Sequence, residues 1–150
     1  MLRATIIRPS GHWDASSARD RVVLDAGDRQ RRRIVLKGEK GTEFLLDFAK
    51  PVSLRDGDGL VLDDGSIVMV TGEQEQLIEI SAGNALDTVR LAWHLGNRHT
   101  DVQIVDDKIR IRRDHVLEDM LCGLGATLTP VDAAFDPETG APAHKHDYGA

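Results

Sequence analysis

Residues 77–131 read "LIEISAGNALDTVRLAWHLGNRHTDVQIVDDKIRIRRDHVLEDMLCGLGATLTPV", and the changing period of their apolar positions decides the fold. "LIEI" (77–80) is an apolar run of strand length. The following "SAGNALDTVRLAWHLG" sets Leu86, Val89 and Trp93 at helical spacing, with Gly96 placed to end a helix in the left-handed conformation. "DVQIV" (101–105) and "KIRIR" (108–112) then alternate with a period of two, joined by Asp106-Asp107 as a tight turn. Asp114 suits the N-cap of a helix from His115 to Cys122, whose apolar face is Val116, Leu117, Met120 and Leu121, and Gly123 and Gly125 follow to stop it. "TLTPV" (127–131) supplies a last strand. The order βαββαβ is the ferredoxin-like split pattern.

Upstream the pattern is different. "LRATII", "RVVLD", "RRIVLK", "TEFLLDF", "GLVLDD" and "SIVMVTG" are short apolar stretches separated by turn residues, with no helical period. Closely spaced strands of this kind imply a small barrel or sandwich, which hides sheet edges. Asp64-Gly65 suits a type I′ hairpin turn, and Asp56-Gly57-Asp58-Gly59 reads as a second turn. "TGEQEQ" (71–76) reads as a polar linker, and "DPETGAPAHKHDYGA" (136–150) is rich in Pro, Gly and small residues without periodicity. The expected organisation is therefore an all-β domain over 1–74, an α+β ferredoxin-like domain over 75–134, and a flexible tail over 135–150.

Composition narrows the function. Of 150 residues 41% are hydrophobic and 29% charged, as in soluble globular chains, and no apolar run approaches the roughly 20 residues of a membrane span. The apolar run Ala4–Ile7 is too brief for a secretory leader, and the single Cys122 excludes an intrachain disulfide and any Cys-cluster zinc site. A cytoplasmic protein without a membrane role is expected. Residues 1–74 balance 12 Lys+Arg against 12 Asp+Glu, whereas residues 75–150 carry 7 against 13 and hold the whole net charge of −6. Five of the six histidines (94, 99, 115, 144 and 146) share that acidic half, a combination that suits a cation better than nucleic acid.

The histidines are not equivalent. His94 falls in the last turn of the expected helix, where an imidazole can serve the unpaired carbonyls and the negative end of the dipole. His99 lies beyond Gly96, in a loop that a rigid scaffold can present. Imidazole is a common ligand for divalent transition ions, but one ring cannot hold an ion firmly, so a symmetric dimer supplying two copies is attractive. In "HKH", His144 and His146 are spaced to project to one side of an extended chain, as two ligands or as an incidental pair. His115, beside the N-cap Asp114, reads as a surface residue or a further ligand.

Other motifs fail. "DGDGLVLDDG" has Leu60 at the third ligand position of a calcium loop and no closing Glu, so a turn is the better reading. Arg29, Arg31, Arg32 and Arg33 could meet phosphate, but Arg31 and Arg33 on one strand face read as solvated surface. "GLGAT" (123–127) lacks the strand-then-helix setting of a dinucleotide fingerprint, and no nucleophile–base arrangement can be assembled, Cys122 sitting in an apolar helix. The expected strands of the second domain contain no Phe, Tyr or Trp, which argues against an RNA-stacking surface. No enzymatic activity is expected.

"HLGNRH" (94–99), followed by "DHVLEDMLCGLGA" (114–126) and a His-bearing C-terminus, resembles the UreE family of urease accessory proteins, nickel metallochaperones. "RQRRRIVL" and "LRDGDGLVLDDGSIVMV" extend the resemblance into the first half. The resemblance implies a partner-binding β domain and a ferredoxin-like domain that forms a homodimer and binds metal. It also implies His99 from both subunits as the central Ni2+ ligand, His144 and His146 as completing ligands, and His115 and His94 as lesser candidates. Cu2+ or Zn2+ could occupy such a site. The implied partners are the GTPase UreG and the urease apoprotein with its accessory proteins. Some relatives carry a further His two residues before His115, where this chain has Arg113. A protein-interaction adaptor, or a general divalent-metal binder with no delivery role, is the alternative.

Overall fold

The computed structural model describes residues 1–138, which form ten strands and two α-helices in two compact units. Among the described residues, one unit comprises 1–75 with 132–136, the other 76–131 with 137–138.

The first unit is a six-stranded mixed sheet. Its strands are β1 (Leu2–Arg8), β2 (Asp20–Leu24), β3 (Arg33–Lys37), β4 (Glu43–Asp47), β5 (Gly59–Leu62) and β6 (Ile67–Gly72), in the spatial order β2-β6-β5-β1-β4-β3. Inward residues alternate along each strand, so Val22, Leu24, Phe44, Leu46, Leu60, Leu62, Val68 and Val70 fill one core. The turn between β3 and β4 returns to β2, where the Glu39 N–H donates to the Arg21 carbonyl at 2.9 Å. The buried Asp20 carboxylate fixes that turn by accepting from the N–H groups of Lys40 (2.9 Å) and Thr42 (3.1 Å). A Cβ on Gly38 would lie 2.2 Å from Asp20 Oδ2, so only glycine lets the carboxylate in. These contacts nearly close the sheet into a barrel and cover edges that would otherwise present unpaired backbone groups.

Several local expectations are corrected. The β5–β6 hairpin forms at Asp64-Gly65, but only Gly65 has positive φ (87°), so the turn is not type I′. Instead the Gly65 N–H donates to the Leu62 carbonyl and the Leu62 N–H to the Ser66 carbonyl, a type I turn followed by a glycine bulge. The segment 71–76, read as a polar linker, contains the division between the units after Glu75 but is strand rather than irregular chain: β6 runs to Gly72 and β7 (Gln74–Ser81) begins two residues later. Arg29, grouped in the sequence with Arg31, Arg32 and Arg33 as a cluster that could meet phosphate, is turned inward. It is 3% exposed, donates to the Phe135 carbonyl at 2.7 Å and is ion-paired with Asp136. Phe135 is fully buried and the Glu138 N–H donates to the Val102 carbonyl, so 135–138 are anchored chain.

The second unit contains β7, α1 (Ala85–Asn97), β8 (Gln103–Val105), β9 (Lys108–Arg112), α2 (His115–Gly123) and β10 (Thr127–Ala134), whose last residues group with the first unit. Its sheet order, β10-β7-β9-β8, is the ferredoxin-like arrangement in which the two central strands are first and third in sequence. Ile78 pairs with Ile111 and Ile80 with Ile109, and on them rest Leu91 and Leu95 of α1 and Leu117 and Leu121 of α2. The apolar stripe of α1 evident in the sequence faces away from this core: Leu86, Val89 and Trp93 are 58%, 64% and 62% exposed. Val116, expected on the inner face of α2, is likewise exposed. A helix on a sheet can bury one stripe, and α1 carries two.

Both helices start on side-chain caps, Asn84 accepting from the Asp87 N–H and Asp114 from the Leu117 N–H. Both end in the same hydrogen-bonded loop. After α2, Gly125 (φ 87°) donates to the Cys122 carbonyl and Ala126 to that of Leu121. After α1, His99 (φ 57°) donates to the Gly96 carbonyl and Thr100 to that of Leu95. The left-handed terminator of α1 is therefore His99, three residues after the glycine expected there. Gly96 is within the helix, at a cost of about 0.5–1 kcal/mol against alanine.

Two outcomes follow. Burial pushes the Asp20 carboxyl up, but the N–H groups of Lys40, Arg21 and Thr42 outweigh it and hold its pKa at about 2, below the 3.8 of the free side chain. The resulting stability is present above pH 4 and lost as pH falls toward 2, so the urea midpoint of Asp20→Asn should drop less than wild type between those limits. His99→Gly should raise unfolding stability in metal-free buffer by about 1 kcal/mol, because glycine accepts the left-handed conformation without the Cβ clash. His99→Ala keeps the clash and should show no gain; equal stability of the two variants would mean that His99 is unstrained.

Candidate metal centre

The acidic unit places His99 at the C-terminal end of α1 and His115 at the N-terminal end of α2. The residues after the first and before the second, Thr100, Asp101, Arg112, Arg113 and Asp114, line one cavity of about 140 Å³ with Leu117, so both histidines lie at the same end of the domain. The cause is topological: each helix of a split βαβ runs antiparallel to the strand that precedes it, and α1 leaves toward the edge from which α2 enters.

His99 is exposed, and among the described residues its imidazole has no hydrogen-bond or ion-pair partner. Its backbone, by contrast, is fixed by the capping loop. That combination, a held main chain and an uncommitted ring, is what a ligand presented to an external ion requires. His94 is half-buried in the last turn of α1, in edge-to-face contact with Trp93 at 5.0 Å between ring centroids. It borders a cavity of about 210 Å³ with Asp87, Arg90, Leu91 and Leu124 rather than joining His99. His115 is the first residue of α2, exposed, with Nε2 3.8 Å from the Asp119 carboxylate one turn on. His144 and His146 lie outside the described residues.

Arg113 is committed elsewhere. Its guanidinium donates to both oxygens of Glu118 at 3.3 and 3.0 Å, and Glu118 also accepts the Asp114 N–H at 2.9 Å. The hydrogen bond from Arg113 holds the Glu118 carboxyl below its usual value, against the opposing effect of burial. Arg113 thus braces the first turn of α2, and a guanidinium that stays protonated offers no lone pair to a metal. Beside it Arg112 pairs with Asp101 at 3.5 Å.

No three His, Cys, Asp or Glu side chains among the described residues are gathered closely enough to hold an ion. The described part of one chain therefore offers an isolated, well-positioned imidazole rather than a finished site. Cys122 is exposed on α2, a correction to its expected apolar setting, and is not part of any such group. The sequence reading missed the left-handed backbone of His99. The signal was available, since a helix whose stop glycine sits a turn early must end on another residue.

Comparison with known proteins finds two family models in succession along the chain. Residues 4–72 match the family model "UreE urease accessory protein, N-terminal domain", and residues 75–150 match "UreE urease accessory protein, C-terminal domain". A urease accessory protein UreE of Bradyrhizobium sp. (strain ORS 278) is 50% identical, the match covering 97% of this chain and 70% of the relative. One of Rhodopseudomonas palustris (strain BisB18) is 49% identical, covering 97% and 72%, and one of Chelativorans sp. (strain BNC1) is 44% identical, covering 98% and 91%. With both domains matched in order and half the positions shared across nearly the whole length, the chain belongs to the UreE family of urease accessory proteins.

Proposed function

We propose that this protein is a nickel chaperone of urease maturation that binds Ni2+ between the His99 side chains of two copies. The observation that carries the reading is the exposed, backbone-fixed imidazole of His99 in a unit that gathers no other donors beside it among the described residues. One imidazole leaves an ion mostly hydrated. A twofold axis beside the end of α1 would double the donor set, and the exposed stripe Leu86, Val89 and Trp93 on the same helix is an apolar surface suited to such a contact. His144 and His146 would complete the coordination from the tail, with His115 and His94 as outer candidates. The excess of acid in residues 75–150 attracts a divalent cation to this part of the chain.

Imidazole ligands suit Ni2+, Cu2+ and Zn2+ alike, so selectivity for nickel would come from the partners that receive it. The relatives are named urease accessory proteins, which supports UreG and the urease apoprotein with its other accessory proteins as those partners. Ligands that detach one at a time would let the ion leave stepwise, and no bond-making chemistry is required of the protein. Arg113 is held by Glu118, so no second site is assigned at the start of α2.

Isothermal titration of Ni2+ into wild type, His99→Ala and a chain ending at Ala143 tests the reading. Wild type should take up fewer ions than chains, His99→Ala should lose at least about tenfold in affinity, and the shortened chain an intermediate amount. Affinity should also fall on acidification, because protons compete for the ring nitrogens. Wild-type affinity in His99→Ala would remove His99 from the site.

A further inference from the structure

The sheet of the second unit has two edge strands, β10 and β8. An edge presents unpaired N–H and C=O groups on which another strand can settle, and proteins blunt it with proline, with charge or with a cover. β10 carries the exposed Pro130, which has no N–H to offer. β8 has no such device in its own sequence, Gln-Ile-Val, and the side chain of Ile104 is 55% exposed. Three uncharged residues, two of them β-branched, form a pairing surface unless something covers them.

Glu138 covers them. Alternate residues of an edge strand direct their backbone groups away from the sheet. On this edge those groups are the Val102 carbonyl, just ahead of β8, and the Ile104 N–H. The Glu138 N–H donates to the Val102 carbonyl at 2.7 Å, and the Ile104 N–H donates to Oε2 of Glu138 at 3.2 Å. A residue of an incoming parallel strand would bind the same two groups, through its own N–H and carbonyl. Here the side-chain carboxylate stands in for the carbonyl, so both groups are satisfied by one residue. The chain that delivers Glu138 is itself held, since Phe135 is fully buried and Asp136 is ion-paired with the buried Arg29.

We propose that Glu138 guards the β8 edge, its two hydrogen bonds keeping the second unit from joining, strand on strand, with β8 of another copy. An antiparallel contact of two uncovered β8 edges would be self-complementary. The Val102 carbonyl of each copy would take the Ile104 N–H of the other, and the two exposed Ile104 side chains would lie beside the seam. The guard is independent of the nickel reading, because neither Glu138 nor β8 supplies a ligand to that site.

The test compares wild type with Glu138→Ala, which loses the carboxylate, and Glu138→Gln, which keeps an acceptor, all in metal-free buffer. In dilute protein the Ile104 amide should exchange with solvent at least about tenfold faster in Glu138→Ala than in wild type, and at the wild-type rate in Glu138→Gln. In sedimentation across a dilution series, concentrated Glu138→Ala should reach about twice the mass that wild type has at the same concentration, whereas Glu138→Gln should match wild type. Adding Ile104→Pro to Glu138→Ala removes the outward N–H and should restore the wild-type mass. Circular dichroism identical to wild type shows that each variant is folded. Wild-type masses for Glu138→Ala throughout the series, or extra association that survives Ile104→Pro, would overturn the guard. An Ile104 amide that exchanges equally in wild type and Glu138→Ala would do the same, as would a Glu138→Gln chain that associates like Glu138→Ala.

Discussion

The last carbonyls of a helix need donors, and the way α1 meets that need governs the candidate site. The N–H groups of His99 and Thr100 turn back onto Gly96 and Leu95, which requires a left-handed backbone at His99. Leu95 is fully buried against the isoleucine pairs of the central strands, so the end of the helix is fixed by the core. The imidazole is carried on a main chain with little freedom while the ring itself is uncommitted. A residue whose Cβ crowds this conformation stays there only when the surroundings overdetermine it.

The first unit is organised by a different constraint, the burial of charged groups. Asp20 satisfies backbone donors of the β3–β4 turn and so draws one end of the sheet onto the other. Arg29 binds the Phe135 carbonyl and the Asp136 carboxylate, which brings residues far apart in sequence into one compact unit. Removing one partner of such a buried pair leaves a desolvated charge, commonly at a cost of about 3–5 kcal/mol. Both residues act in the packing of the β unit.

Much of this architecture was legible in the sequence. The six strands of the first unit and the βαββαβ order of the second follow from apolar period and turn residues, which are local properties. The hairpin at Asp64-Gly65 was also legible, but its turn type depended on the twist and register of the flanking strands. Residues 71–76 looked like a linker because their side chains are polar; a strand edge needs only backbone donors and acceptors, which composition does not reveal. Arg29 looked like its neighbours because burial of a guanidinium depends on a partner that lies 107 residues away.

The sequence by itself determined that five histidines fall in an acidic, ferredoxin-like half, and that His94 and His99 sit on opposite sides of a helix terminus. Only the tertiary structure decided which stripe of α1 is buried. Leu91 and Leu95 face Ile78 and Ile111, and Leu86, Val89 and Trp93 are left outside with Gly96. Tertiary structure also moved the left-handed residue from Gly96 to His99. Helix length is set by how far Leu95 reaches into the core, and glycine's conformational freedom permits a stop without compelling one.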